Sequence, residues 1–115
     1  MRKVTRGIFP TLSARYGMVV LHVFTAGIII MLSNTKVLQA DDRQKAVDLF
    51  NEGQALYDKS NLRGAAEKWE QVLDISRKIN NQQGISVAVN NLSVVYQHLG
   101  DYPKALRYYE QVLEN

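Results

Sequence analysis

The chain has 115 residues, no cysteine and a formal net charge of +3. Without cysteine it can form neither a disulfide framework nor a thiolate metal site, and its length allows one small domain with an appendage. All eleven acidic residues lie in residues 41–115, which also hold nine basic residues, whereas residues 1–40 hold five basic residues and no acid. The basic character therefore belongs to the N-terminal segment, and the rest of the chain has no feature of a nucleic-acid-binding protein.

Residues 1–40 have the pattern of a signal peptide or membrane anchor. Basic residues precede the uncharged run from Gly17 to Leu32, and Ala40 precedes the acidic pair Asp41-Asp42. A basic flank, an apolar run and a small residue before the mature chain are the parts of a secretory signal, although Leu38 is larger than usual for its position. The run is shorter than the roughly 20 residues that span a bilayer. We favour a cleaved signal over a retained anchor, and either over a buried helix.

Apolar residues at helical spacing predict the first helix of residues 41–115. It extends from Arg43 to about Lys59, and we expect it to begin at the Asp41-Asp42 pair, whose carboxylates can cap free backbone amides. Gly53 interrupts its apolar face. Because glycine has no side chain, its expected role is to let another helix approach closely.

Three more helices follow, with short connections that imply antiparallel neighbours. Their predicted bounds are about Leu62 to Ile79, about Gln82 to Leu99, and about Tyr102 onward. Asn61 is the expected cap of the second helix, and Asn80 marks its end. Gly100 ends the third helix and Asp101 caps the fourth, where Pro103 falls in the first turn.

A sequence pattern returns after forty residues. Trp69-Glu70-Gln71-Val72-Leu73 reappears as Tyr109-Glu110-Gln111-Val112-Leu113, and Ala65, Asn51 and Val47 correspond to Ala105, Asn91 and Val87. A helix face that repeats at a fixed period is typical of a stacked repeat array. We therefore predict an all-α fold, a short α-solenoid of two helix–turn–helix repeats, about 43–82 and about 83–115. Trp69 and Tyr109 should then occupy equivalent sites, each inside its own helix pair.

The second unit resembles a tetratricopeptide repeat. The residues that carry the resemblance are Asn91-Leu92, Tyr96, Gly100-Asp101-Tyr102, Ala105 and Tyr109. The first unit matches less closely, since Glu52 stands where the family has leucine and Leu56 where it has tyrosine. The period of forty is similar to that of the longer-helix members, such as kinesin light chain and many bacterial arrays.

The resemblance implies a binding function, in which the first helix of each pair forms the inner wall of a curved surface that holds a peptide or partner helix. Carried over by position, the wall comprises Val47, Phe50, Asn51, Gln54, Tyr57, Asp58, Val87, Asn90, Asn91, Val94, Gln97 and His98. Asn51 and Asn91 stand where family members often bond the main chain of a peptide. An amide suits this role because it both donates and accepts, but a tolerated asparagine on a solvated face is an equal alternative.

Candidates for catalysis are few. Glu67, Glu70 and Asp74 lie at helical spacing, which is usual for the solvated side of an amphipathic helix. His98 is the single histidine after residue 40, and the sequence has no phosphate-binding glycine loop, nucleophile elbow or histidine-containing metal motif. We therefore expect no enzyme activity, no catalytic residue, no cofactor and no metal site.

The sequence favours an exported (periplasmic or secreted) or membrane-anchored module that binds a protein or peptide. Two alternatives stay open: the N-terminal part of a larger repeat protein with an effector or catalytic domain after Asn115, and a small periplasmic enzyme that uses Glu67, Glu70 or His98. Nucleic acid is not an expected partner, and contact with a membrane is expected only through residues 1–40. The last helix has an apolar face that we expect to be partly open and able to self-associate. Its residues are Tyr102, Leu106, Tyr109 and Leu113.

Overall fold

A computed structural model describes the backbone of residues 2–114 and the side chains of residues 19–114. It divides the chain into two compact units, Met1–Leu38 and Gln39–Asn115. The helices are α1 (Arg2–Asp58), α2 (Leu62–Lys78), α3 (Gln82–His98) and α4 (Tyr102–Glu114). No strand occurs within residues 2–114. The prediction of an all-α array of tandem helices is confirmed.

The start of α1 differs from the prediction. The helix begins at Arg2 and continues through the Asp41-Asp42 pair, so these carboxylates do not start it. The physical reason is that residues 33–40 contain neither glycine nor proline to interrupt the helix. The hydroxyl groups of Ser33 and Thr35 each donate to the carbonyl oxygen four residues earlier, at 2.8 Å. Polar side chains in this stretch are thereby accommodated without ending the helix.

One stretch among the fully described residues is long and apolar enough to cross a membrane, and it begins at Val19. None of its most apolar window is buried against other parts of the protein. A signal sequence near an N-terminus satisfies the same criteria of length and composition. The basic flank predicted for this signal lies outside the residues whose side chains are described.

Each of the three turns between helices has the same construction. A side-chain oxygen accepts a hydrogen bond from the backbone amide three residues later, at 3.1 to 3.2 Å, before α2, α3 and α4. The capping residues are Asn61, Asn81 and Asp101. The residue before each cap has a positive φ: 62° at Ser60, 54° at Asn80 and 77° at Gly100. This left-handed residue ends the preceding helix, as the sequence predicted for Asn80 and Gly100.

The core of the repeat unit lies between α2 and α3. Its buried side chains include Ala65, Ala66, Trp69, Val72 and Leu73 from α2 and Ala88, Val89, Leu92 and Val95 from α3. Trp69 is 2% exposed, as predicted. Its predicted equivalent, Tyr109, is 40% exposed, so the expectation that both are interior was wrong. Both faces of α2 pack against described helices, whereas no described helix covers the outer face of α4.

Gly53 is a point of close contact between α1 and α2. A Cβ atom at this position would lie 2.6 Å from Nε1 and 2.8 Å from Cδ1 of Trp69, well inside normal contact distance. The indole N–H also donates to the carbonyl oxygen of Phe50, at 3.4 Å. The predicted role of Gly53, close approach of another helix, is therefore what the structure shows.

We expect Gly53→Ala to destabilise the protein, although alanine is favoured over glycine in an open helix by about 1 kcal/mol. The added methyl group must displace a buried ring, and overpacking of this kind costs about 1–3 kcal/mol. Chemical denaturation followed by the fluorescence of Trp69, the single tryptophan, measures the change. Ala55→Gly, at an exposed site of the same helix, calibrates the helix preference. A Gly53→Ala variant that is more stable than wild type would contradict the packing described here.

Candidate functional site

α1 and α3 present the same pattern of surface positions, separated by forty residues. Within each helix these positions are spaced four, three and four residues apart, which places them on one face. We call the eight residues the α1–α3 surface: Val47, Asn51, Gln54 and Asp58 from α1, and Val87, Asn91, Val94 and His98 from α3. All are exposed except Asn91, which is half-buried.

The structure separates the twelve predicted wall residues into three groups. Eight form the α1–α3 surface, and among them are Asn51, Gln54, Asn91, Val94 and His98. Phe50 and Tyr57 are half-buried beneath it, with ring centroids 6.3 Å and 5.7 Å from that of Trp69. Asn90 and Gln97 are exposed, and Gln97 lies towards α4, where its Oε1 accepts a hydrogen bond from the Tyr109 hydroxyl at 3.4 Å.

Tyr57 and His98 connect the two repeats. Their rings are stacked, with centroids 5.9 Å apart and planes inclined by 25°, and the Tyr57 hydroxyl lies 2.9 Å from Nδ1 of His98. This contact fixes one end of α3 against the corresponding end of α1. It also engages one ring nitrogen of His98, so the imidazole takes part in packing.

A groove with a volume of about 450 Å³ lies between α1 and α3, above α2. Val47 and Phe50 line one side, Val87 lies on the other, and Val72 contributes from α2. Its polar residues are Arg43, Ser76, Asn81 and Gln83. A concave site of this size with an apolar centre and a few polar groups can accept an apolar side chain of a bound molecule.

Sequence reasoning missed Arg43 and Gln83 as members of this site. They lie forty residues apart and four residues before Val47 and Val87, so they continue the same helix faces by one turn. The repeat period itself was the signal that could have identified them. With Arg43 included, the site has a positive charge at the end where the groove lies and the carboxylate of Asp58 at the opposite end.

The side-chain amides of Asn51 and Asn91 are the polar groups of the α1–α3 surface that an external molecule could engage. Among the described residues, neither amide has a hydrogen-bond partner. The neighbouring Gln54, in contrast, donates from Nε2 to Oδ1 of Asp58 at 2.9 Å. Two amides at equivalent positions of successive repeats are therefore available to donate to, and accept from, an external group.

A separate polar network joins α2, α3 and α4 around the carboxylate of Glu70. Its Oε1 accepts hydrogen bonds from the hydroxyl groups of Tyr96 at 2.7 Å and Tyr108 at 3.3 Å, and it lies 3.1 Å from Nζ of Lys104. The Lys104 ammonium also donates to the Tyr96 hydroxyl at 2.8 Å and lies 4.2 Å from the centroid of that ring. The rings of Tyr96 and Tyr108 are stacked 5.8 Å apart.

Ionisation in this network follows from its contacts. Burial raises the pKa of Glu70, but hydrogen bonds from Tyr96 and Lys104 and the lysine charge outweigh it, so the pKa is lowered from 4.5. Burial and the nearby carboxylate raise the pKa of Tyr108 to about 12. Glu70 is thus an ionised acceptor at neutral pH, which is the state that holds three helices together.

The groups named by the enzyme alternative are not assembled into one site. Glu67 and Glu70 line the same shallow cleft, but His98 is not part of that cleft and is bonded to Tyr57 instead. No cluster of three or more metal-ligating side chains occurs within residues 19–114. The geometry therefore favours the α1–α3 surface as the candidate functional site.

Glu70→Gln should destabilise the protein by about 1 kcal/mol at pH 7. This is less than a fully buried charged hydrogen bond contributes to stability, because the Glu70 carboxylate is partly exposed. Since the pKa of Glu70 is lower in the folded state than in the unfolded chain, this contribution is present above pH 4.5 and is lost as the pH falls through the folded value. Denaturation of both proteins across this range tests the expectation. Glu67→Gln, at an exposed position, should show little difference from wild type, and a Glu70→Gln effect that persists unchanged at pH 3 would contradict the assignment.

Comparison with known proteins identifies a protein family. A family model described as a tetratricopeptide repeat matches residues 51–115, which include the last turns of α1 and all of α2, α3 and α4. No curated protein and no solved structure matches the chain.

Proposed function

Because this chain belongs to the tetratricopeptide repeat family, we propose that its α1–α3 surface holds a segment of a partner protein. Repeats of this family form protein–protein interaction modules in general. The proposal goes further by assigning the partner to one face of the array, the face on which both repeats present equivalent residues.

The observation that carries the proposal is the pairing of apolar residues with unengaged amides. Val47 and Val87 flank the groove and are exposed, although valine in a soluble array is normally buried. Asn51 and Asn91 lie one turn further along each helix, and their side-chain amides have no hydrogen-bond partner within residues 19–114. Apolar side chains supply binding energy through desolvation, whereas amides fix the register of a bound main chain.

The arrangement of charge sets the chemistry of the partner. Arg43 is at the groove end of the surface and Asp58 is at the far end, one charge of each sign. Complementary charges contribute more to the orientation of a bound segment than to its binding affinity. The segment that fits has an apolar side chain for the groove, an acidic group beside Arg43, and a basic or donor group beside Asp58.

Replacing both Asn51 and Asn91 by alanine should weaken partner binding by roughly tenfold or more, since each lost hydrogen bond contributes about 1 kcal/mol. The measurement is capture of partners by tagged full-length chain from the compartment in which it resides, followed by titration of the captured protein. Helix content and melting temperature should be nearly unchanged, because neither side-chain amide has a hydrogen-bond partner in the part of the chain that the structure describes.

A matched control uses two exposed polar residues of α2, with the double substitution Glu67→Ala and Asp74→Ala. This variant should retain full binding. If the α2 variant loses the partner and the asparagine variant retains it, the binding face is not the α1–α3 surface.

We also propose that residues 1–40 direct the chain out of the cytosol. The support is the segregation of charge, with five basic residues and no acid in this segment, and the exposed apolar stretch that begins at Val19. Positive charge before an apolar run is the pattern that export machinery recognises. The interaction module would then act in the exported compartment.

Mass spectrometry of the chain expressed in its own cell type tests this proposal. We expect the mature protein to begin at Asp41, and Leu38→Ala, which places small residues at both positions of the site, to increase the processed fraction. Ala40→Lys is the matched variant that should prevent cleavage. An intact N-terminus in the membrane fraction would favour an anchor, and an intact protein in the cytosol would reject both forms of the proposal.

A further inference from the structure

Basic side chains gather in a shallow cleft between α2 and α4. The cleft has a volume of about 300 Å³, and its lining residues are Arg77 from α2 and Lys104, Arg107, Tyr108 and Gln111 from α4. Residues 41–115 as a whole hold more acidic residues, eleven, than basic residues, nine. Three basic residues in one cleft are therefore a local concentration of positive charge on an otherwise acidic repeat region.

We propose that this cleft, which we call the α2–α4 cleft, binds an acidic segment of a partner polypeptide, with carboxylates of the segment beside the guanidinium groups of Arg77 and Arg107. The cleft is formed by the second helix of each pair, whereas the α1–α3 surface is formed by the first. It is thus an interaction site beyond the one proposed above. The support comes from the balance of charge in the cleft, the position of the Arg77 side chain and the identity of residue 107.

Two of the three basic side chains in the α2–α4 cleft lack an acidic partner. Lys104 is balanced by Glu70, since its Nζ lies 3.1 Å from Oε1 of that carboxylate. Arg77 and Arg107 are exposed, and neither forms an ion pair within residues 19–114. Glu114 lines a neighbouring cleft that also includes Arg77, but these two described side chains are not paired. Two positive charges therefore remain for an external anion.

The Arg77 side chain is already positioned for binding. It extends from α2 to α4, where its Nη2 donates to Oε1 of Gln111 at 2.7 Å. A guanidinium group carries five N–H donors in a planar fork, so this bond leaves donors for a second acceptor. A carboxylate is the planar acceptor that matches such a fork. Because the side chain is held in advance, binding has less conformational freedom to remove.

Residue 107 departs from the repeat pattern. The equivalent position of the first unit, forty residues earlier, is Glu67, so the charge is reversed between the two repeats. The neighbouring packing residue is unchanged, since Ala65 returns as Ala105, and both are buried. Packing of the repeats therefore does not call for arginine at this exposed position. The positive charge of the α2–α4 cleft belongs to this one junction of the array.

The number of unpaired charges indicates the class of ligand. Anionic membrane surfaces are recognised by clusters of about 4–8 basic residues, and nucleic acids by extended basic faces. Two guanidinium groups in a cleft of about 300 Å³ instead match a few carboxylates on a short stretch of chain. An acidic polypeptide segment is the ligand of that size and charge.

Binding of an acidic peptide to the full-length chain, purified in a mild detergent, tests the proposal. The probe is a short fluorescent peptide of alternating glutamate and serine, and its control carries glutamine in place of glutamate. Fluorescence anisotropy should show binding of the acidic peptide that weakens as salt is added, and weaker binding of the control. Arg77→Gln and Arg107→Gln should each weaken binding about threefold, and the double variant about tenfold, because exposed ion pairs contribute modestly.

Matched variants separate the α2–α4 cleft from other basic groups. Arg43→Gln and Arg63→Gln remove exposed charges elsewhere and should bind the acidic peptide as wild type does. The basic residues 1–40 are the same in every variant. The double variant Asn51→Ala and Asn91→Ala should also retain the acidic peptide, so this site and the α1–α3 surface can fail independently.

Melting temperatures should be nearly unchanged, since both arginines are exposed. If loss of the bond to Gln111 alters the fold of Arg77→Gln, Arg107→Gln alone decides, because its side chain forms no ion pair within residues 19–114. Full binding of the acidic peptide by the double arginine variant, or an equal loss in Arg43→Gln, would overturn the proposal. A double variant that loses anionic vesicles and keeps the peptide would assign the cleft to a membrane surface instead.

Discussion

The contact between the Trp69 ring and the bare backbone of Gly53 sets the packing of α1 on α2. Without a side chain at Gly53, the indole lies against α1 and brings Phe50 and Tyr57 into contact with its ring. Tyr57 in turn stacks on His98. The packing of α1 on α2 therefore reaches α3 through Tyr57 as well as through the α2–α3 core, and it contributes to the relative positions of the two helices that form the α1–α3 surface.

Sequence periodicity predicted most of this fold because the signals are local. Helix bounds after residue 60 and the asparagine and glycine turns follow from side chains that act on their own backbone. The departures of the first repeat from its family are compensated by neighbours. Glu52, which replaces the family's leucine, forms an ion pair with Lys68. Leu56 replaces the family's tyrosine, and Tyr57, the next residue, supplies an aromatic ring that packs against Trp69. The prediction that Tyr109 is buried was wrong because sequence periodicity identifies the apolar face of a helix but does not show whether another helix covers that face.

The network around Glu70 could not be predicted for a different reason. Its hydroxyl donors, Tyr96 and Tyr108, are 26 and 38 residues away, and neither separation is the repeat period. The same carboxylate, viewed only in sequence, belongs to the solvated stripe of an amphipathic helix. Tertiary structure converts it into an acceptor shared by three helices, and the lowered pKa of Glu70 reflects that change.

The uninterrupted course of α1 gives Asp41 and Asp42 two different environments. In the full chain they lie within a helix, where the carbonyl groups of residues 37–40 already accept from the amides that follow. Peptidases act on extended backbone, so the cleavage proposed above would require this region to unwind or to be cut before it folds. In a chain cut after Ala40, the same two carboxylates would stand at a new positive helix end, and the ion pair of Asp42 with Lys78 at 2.9 Å would hold that end against α2. Maturation would thus turn an interior segment into a self-capped terminus.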